Sequence, residues 1–254
     1  MPIEIEQFPC RSDNFGVLIH DPATGETASI DAPETGPIVA VLERRGWAIT
    51  HILCTHHHPD HVAGNADLQA MGAELIGPAG EADRIRGLDR TVSGGDVLEV
   101  CGERVEVIDT PGHTSGHVSY HMPGAEVAFT ADCLFSLGCG RLFEGTPAEM
   151  HASLRRLAAL PEDTLVYCGH EYTLSNAEFA LTIDPNNGVL QSRADEVRRL
   201  RGEGAPTLPV RLGDELAANP FLRPHDPAIR EVLGMEDATD AEVFAEIRRR
   251  KDRE

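Results

Sequence analysis

Lysine is almost absent. Lys251 is the only lysine among 22 Lys and Arg, and these cations face 42 Asp and Glu for a formal charge of -20 in 254 residues. So acidic a chain is not expected to bind nucleic acid, because phosphate recognition rests on basic patches. Nor is it expected to dock on an anionic membrane surface. Long apolar runs are missing too, and none approaches the roughly 20 residues of a membrane span. Met1-Pro2-Ile3-Glu4-Ile5-Glu6 alternates apolar and acidic residues, without the basic start and apolar stretch of an export leader. The six cysteines (Cys10, Cys54, Cys101, Cys133, Cys139, Cys168) are scattered and form no C-x-x-C pair, so neither a disulfide frame nor a cysteine zinc site is expected. A reducing cytoplasm is the expected setting. What remains is ordinary for a soluble globular protein: 41% hydrophobic and 25% charged residues, in one large domain or two modest ones.

The first two thirds of the chain are short strands broken by Gly, Pro and Asp. Ile3–Phe8, Gly16–His20 and Thr27–Ile30 predict an opening antiparallel meander. Pro37–Arg45 predicts a helix with proline at its first position, and Ile49–Cys54 an apolar strand. Val97–Val100 and Arg104–Ile108 flank a hairpin turn at Cys101-Gly102-Glu103. Val127–Thr130 and Leu165–Cys168 have the character of buried strands. Between them Thr146-Pro147-Ala148-Glu149 combines a capping box with Pro at N1 and opens a helix to about Leu160. After His170 the texture changes. Tyr172–Ile183, Asn187–Arg201, Pro227–Leu233 and Asp240–Lys251 all predict helices, the last behind a second capping box at Thr239-Asp240-Ala241-Glu242. The expectation is an α/β domain over residues 1–170 and a helical domain over 171–254.

Thr55-His56-His57-His58-Pro59-Asp60-His61 is the most informative stretch. In an extended loop His56 and His58 point to the same side. Pro59 bars a helix from running through the motif, leaving Asp60 and His61 to turn back toward a second position. Four donors in six residues crowd one ion and divide naturally between two. Three further donors follow apolar runs: His113 after Val105–Ile108, Asp132 after Val127–Thr130, and His170 after Leu165–Cys168. Ligands in α/β sheets bind just outside the carboxyl ends of strands, and here four such ends carry donors. Seven donors emerge: His56, His58, Asp60, His61, His113, Asp132 and His170. With Asp132 bridging, each ion receives histidine and carboxylate and keeps a position open for water, the catalytic pattern. Imidazole and carboxylate without thiolate suit Zn, Fe or Mn. His57, His117 and His121 fall outside this count.

These residues resemble the metallo-β-lactamase superfamily, whose signature is H-x-H-x-D-H followed by a later His, Asp and His. Within it the chain is similar to the glyoxalase II (hydroxyacylglutathione hydrolase) family over nearly its whole length. The similar segments are Thr55–Asn65, Thr110–His117, Thr130–Phe135, Gly138–Thr146, Cys168–Thr173 and, in the helical part, Asn219-Pro220-Phe221-Leu222-Arg223. The resemblance implies an αββα sandwich followed by an all-helical C-terminal domain. It assigns His56, His58 and His113 to a first metal and Asp60, His61 and His170 to a second, with Asp132 bridging and Zn the first candidate ion. Asp60 and Asp132 are the catalytic carboxylates. Glutathione contacts map to Arg141, Phe143, Tyr172, Asn176, Arg248 and Lys251; position 143 is tyrosine in some members, so a hydroxyl contact is missing here.

The implied activity is hydrolysis of the thioester of S-(2-hydroxyacyl)glutathione, S-D-lactoylglutathione giving D-lactate and glutathione, the second step of methylglyoxal detoxification. A cytoplasmic monomer acting on a small glutathione thioester, with no nucleic acid and no membrane, is expected. A thiolate whose conjugate acid has a pKa of roughly 8.5 leaves without a strong general acid, which suits a site lacking one. Two alternatives remain, the first on the same scaffold. A persulfide dioxygenase needs one iron and only part of the donor set, and a non-catalytic metal-binding module needs fewer donors than seven. Residues 248–254 hold five of the 22 basic and two of the 42 acidic residues, leaving -23 elsewhere. An acidic body repels anionic glutathione, so a local basic clamp at Arg141, Arg248 and Lys251 is expected to admit it.

Overall fold

The computed structural model describes residues 2–254; Met1, which begins the N-terminal run considered above, lies outside them. The chain divides into two compact units, Met1–Asp109 with Ser115–Phe129, and Thr110–Thr114 with Thr130–Glu254. These packing units differ from the expected 1–170 and 171–254 segments, because segment 130–170 packs within the same unit as the helices that follow it.

The first unit opens on β1 (Glu4–Cys10), β2 (Asn14–His20) and β3 (Thr27–Ile30), the expected antiparallel meander. Helix α1 (Thr35–Arg45) follows, and its last turn closes on Gly46, whose φ of 69° lets its N–H reach back to the Glu43 and Leu42 carbonyls. It begins two residues before Pro37, after an extended Glu34. Then come β4 (His51–Leu53), the short α2 (Pro59–Val62), α3 (Asn65–Ala70), β5 (Glu74–Pro78) and β6 (Arg90–Val92). Strands β3, β4, β5 and β6 pair in parallel, as helical crossovers between successive strands require. Leu18, Ile52 and Leu75 on this sheet are buried against Ile38, Val41 and Leu42 of α1 and Leu68 of α3. Strands β7 (Val97–Val100), β8 (Glu103–Asp109), β9 (Val118–Met122) and β10 (Val127–Ala131) form an antiparallel run. The β7–β8 turn carries positive φ at both Cys101 and Gly102, the twist that two-residue hairpins favour.

The second unit holds the tight hairpin β11 (Leu134–Phe135) and β12 (Gly138–Cys139), then α4 (Pro147–Ala158) behind its complete Thr146–Glu149 capping box. Strand β13 (Leu165–Cys168) leads to α5 (Thr173–Ile183) and α6 (Gly188–Gly202). A two-residue β14 (Val210–Arg211), which the sequence pattern did not predict, pairs antiparallel with β13 and runs into α7 (Leu212–Ala218), also unpredicted. Helices α8 (Pro227–Leu233) and α9 (Asp240–Lys251) have the expected bounds. Leu137 beside the hairpin packs with Ala177, Ala180, Leu190, Ala194 and Ala218. Phe179, Phe221 and Phe244 form a second core, with ring centroids 6.1 and 5.8 Å apart along the row. Among the described residues no helix is long and apolar enough to cross a membrane.

Candidate metal centre

In the first unit, Pro59 opens a helix instead of only barring one. Proline lacks an N–H, and the first helical position needs none, so α2 starts there and carries Asp60 and His61. His56 and His58 precede it, and their rings meet with His56 Nε2 3.1 Å from His58 Nδ1.

A carboxylate outside the motif organises these rings. Asp31, with φ of 54°, follows β3 in a left-handed conformation unusual for a side chain other than glycine. Its Oδ1 accepts the Thr55 N–H at 2.7 Å, and its Oδ2 accepts the Thr55 hydroxyl and His61 Nδ1–H, each at 2.8 Å. With its proton committed to Asp31, Thr55 Oγ1 accepts from His56 Nδ1 at 3.0 Å. Both imidazoles are thereby held in the tautomer that leaves Nε2 bare, the form that ligates a metal. His61 Nε2 lies 3.7 Å from Asp60 Oδ2. The buried Asn14 amide donates to both the carbonyl and Oδ2 of Asp60 at 3.1 Å. His57 is used otherwise. Arg84 Nη1 donates to its Nε2 at 3.3 Å, so its proton sits on Nδ1 and goes to the Glu81 carboxylate. Neither ring nitrogen is left for a metal. His121 pairs with Glu106 at 3.2 Å, and the buried His117 ring packs 5.0 Å from that of His56.

The second unit holds His113, Asp132 and His170. The Gly169 N–H donates to the Ala131 carbonyl at 3.1 Å, which sets the next residue of each segment, Asp132 and His170, side by side. Ala131 has φ of 40°, strain of the kind that collects at functional sites. Only glycine fits at 140, where a Cβ would stand 1.9 Å from the Asp132 carbonyl oxygen. His113 Nδ1 donates to the Arg141 carbonyl at 2.8 Å. A carbonyl only accepts, so the neutral His113 ring carries its lone pair on Nε2. That lone pair faces Asp132 Oδ2 at 3.3 Å, while His170 Nε2 faces Oδ1 of the same carboxylate at 3.4 Å. Contacts this short between a ring nitrogen and a carboxylate oxygen call for a proton or a metal cation between them. One carboxylate thus offers one oxygen to each of two imidazoles, as a bridging ligand does. The donors fit Zn, Fe or Mn.

Thiols are not part of this chemistry. Burial pushes Cys139 up to about 11 and drives Cys133 and Cys168 well above their ordinary range, so none supplies a thiolate near neutrality.

The six expected substrate contacts separate into two kinds. Arg141, Phe143 and Tyr172 are open, at 58% (side chain), 61% and 39% exposure. Phe143 sets its ring edge-on to His113 at 5.3 Å, and Tyr172 stacks on His170 at 4.7 Å. Arg248 is 6% exposed and committed inward. Its Nη1 donates to the Cys139 carbonyl at 2.9 Å, its Nε and Nη2 to Asp252 at 3.1 and 2.9 Å, and its guanidinium lies over Phe221. Asn176 donates to the Ser136 carbonyl at 3.1 Å. Lys251 Nζ bonds the carbonyl and hydroxyl of Ser175 and the Glu254 carboxylate.

Residues 13–170 match the family model described as Metallo-beta-lactamase superfamily, and residues 171–254 that described as Hydroxyacylglutathione hydrolase C-terminus. A curated hydroxyacylglutathione hydrolase of Mesorhizobium japonicum is 62% identical over 99% of both chains. The chain belongs to the hydroxyacylglutathione hydrolase family. A second relative of that name, from Rhizobium meliloti, is 59% identical over 98% of each chain. Among solved structures, ETHE1 from Myxococcus xanthus superposes with a TM-score of 0.69 at 25% identity, covering 97% of this chain and 90% of that one. The BLEG-1 B3 metallo-beta-lactamase gives 0.66 at 22% identity, over 87% of this chain and all (100%) of that one. The fold is that of the superfamily, an α/β sandwich followed by the helical C-terminal region of the hydroxyacylglutathione hydrolases.

Sequence reasoning missed Asp31, Asn14 and Glu81. For Asp31 a signal existed: Thr27–Ile30 is another apolar run ending in a single Asp, the pattern that marked Asp132. Asn14 and Glu81 carry no such mark, since their partners lie 46 and 24 residues away in the chain.

Proposed function

We propose that this chain hydrolyses the thioester of S-(2-hydroxyacyl)glutathione, with S-D-lactoylglutathione as the reference substrate, releasing D-lactate and glutathione as the second step of methylglyoxal detoxification. The observation that carries this reading over other activities of the fold is the match to the family's C-terminal region, continuous over residues 171–254. The catalytic domain is 1–170 and the substrate domain 171–254. His56, His58 and His113 would hold one divalent ion and Asp60, His61 and His170 a second, with Asp132 available to both, zinc being preferred to iron or manganese. Such ions supply Lewis acidity, lowering the pKa of water and polarising the thioester carbonyl.

The chain's own residues do the rest. Asp31, directly or through Thr55, and the Arg141 carbonyl hold the Nδ1 protons of His61, His56 and His113, so the neutral rings present Nε2 to a metal. Asp60 and Asp132 are the catalytic carboxylates, each adjacent to a ligand imidazole. No side chain is asked to protonate the leaving sulfur, because a thiolate of conjugate-acid pKa roughly 8.5 departs unaided. Arg141, Phe143 and Tyr172 meet the glutathione arm directly, while Asn176, Arg248 and Lys251 hold the frame behind them. The protein acts as a cytoplasmic monomer, a setting supported by six buried thiols, with no nucleic-acid or membrane partner.

The deciding experiment removes metal by chelation and restores it with Zn, Fe or Mn, assaying S-D-lactoylglutathione, glutathione persulfide and a β-lactam side by side. Thioester hydrolysis lost on chelation and regained on reloading is expected. Full activity in metal-free protein, or oxygen consumption with the persulfide in place of hydrolysis, would sink the reading.

A further inference from the structure

We propose that Glu81 is the positioning residue of the His56–His58 ligand pair, acting through His57 and never touching a metal; this rests on the reading of His56 and His58 as ligands. Glu81 ends the single turn Ala79–Glu81 after β5, and its side chain is 0% exposed. Both of its oxygens hold segments that reach His56. One takes the His57 Nδ1–H. The other accepts the Gly116 N–H at 2.9 Å, one residue before His117, whose ring packs on that of His56. Gly80 and Gly116 are pressed together so closely that a Cβ on Gly116 would stand 2.6 Å from the Gly80 carbonyl carbon. The turn is therefore fastened backbone to backbone as well as through the carboxylate.

Side chains of an extended stretch alternate in direction. Holding His57 on Glu81 from one side commits His56 and His58 to the other. Arg84 completes the chain of groups, because its donation to His57 Nε2 fixes the tautomer that donates to Glu81. A carboxylate suits the position better than an amide. Its two oxygens only accept, and both incoming groups are donors.

The test is zinc affinity of the purified full-length protein, measured without substrate by competition with a chromophoric chelator, alongside the melting temperature of the metal-free form. His57→Phe keeps a ring and removes both nitrogens. It is expected to weaken zinc binding about tenfold or more and, by taking a donor from the buried Glu81, to lower the metal-free melting temperature modestly. His57→Asn places an amide N–H near the former Nδ1 and is expected to restore affinity to within about threefold of the parent. Glu81→Gln should match His57→Phe, and the double variant should add little to either, as residues acting in one unit do. Parent-like affinity in His57→Phe would overturn the proposal. So would an equal loss in His57→Asn at a metal-free melting temperature equal to the parent's. A parent protein that takes up no zinc would instead remove the ligand reading underneath.

Discussion

A proton on one imidazole nitrogen decides whether the other can hold a metal, and here backbone and carboxylate groups outside the histidine motif place those protons. The Arg141 carbonyl does so for His113, and Asp31 for His61 directly and for His56 through Thr55. The cysteines beside the ligands show the opposite treatment. Burial raises the thiols of Cys133, Cys139 and Cys168, and the thiol form is a poor nucleophile. Iodoacetamide at pH 8 is therefore expected to leave the native enzyme active, and Cys139→Ala to keep kcat within about twofold of the parent, since no thiolate takes part. Rapid inactivation of folded protein by the reagent would contradict this. The scattered cysteines, without paired spacing, already pointed away from a thiolate role; their burial gives the reason.

Among the elements, the β11–β12 hairpin is held by the C-terminal region in a way its two-residue strands could not achieve alone. Glu215 on α7 accepts from the Ser136 hydroxyl at 2.8 Å, the Leu137 N–H at 2.7 Å and Asn219 Nδ2 at 2.9 Å. Asn219 also donates to the carbonyls of Phe135 and Gly138, and Asn176 to that of Ser136. Replacing Glu215 by alanine takes the acceptor from two buried donors, the Ser136 hydroxyl and the Leu137 N–H, and is expected to cost about 2–4 kcal/mol in urea denaturation. KM should rise with it, since Arg141 and Phe143 follow the hairpin. Burial pushes the Glu215 carboxyl up. Its native pKa then lies above its unfolded one, so as pH rises from the ordinary glutamate range the unfolded chain releases a proton the native state still holds. Stability contributed by this group falls over that window, and Glu215→Gln should flatten the slope. None of this was visible beforehand: α7 has only seven residues, and a glutamate near an Asn-Pro segment does not announce a partner about 80 residues earlier.

Over the whole molecule, the charge of -20 is offset locally but not by a freestanding clamp. Arg248 and Arg141 share Asp252 Oδ1, at 2.9 and 3.5 Å, and Lys251 is tied to Ser175 and Glu254. Arg141 is the exposed cation of the three. Arg141→Gln is therefore expected to raise KM for a glutathione thioester several-fold with kcat and melting temperature unchanged, an effect that shrinks as salt screens the exposed charge. Deleting residues 248–254 removes the Arg248 bonds to Cys139 and Asp252 as well, so it should lower stability and raise KM together. Equal KM in parent and Arg141→Gln at low salt would remove Arg141 from the binding surface.

The sequence alone pointed to the seven candidate donors. Each is adjacent to a recognisable apolar run, and proximity along the chain is a local property that composition and spacing record. The capping boxes at Thr146 and Thr239 were legible for the same reason, since each closes within four residues. Strand β9 was not: Ser119 and His121 break the apolar pattern, and only packing on both faces buries all five of its residues. Asp31 behind two histidines and Arg248 as an internal brace were likewise decided by the tertiary structure. Which nitrogen of a histidine is bare, and which arginine is free to meet an anion, depend on partners tens of residues away. Local pattern carries no record of them.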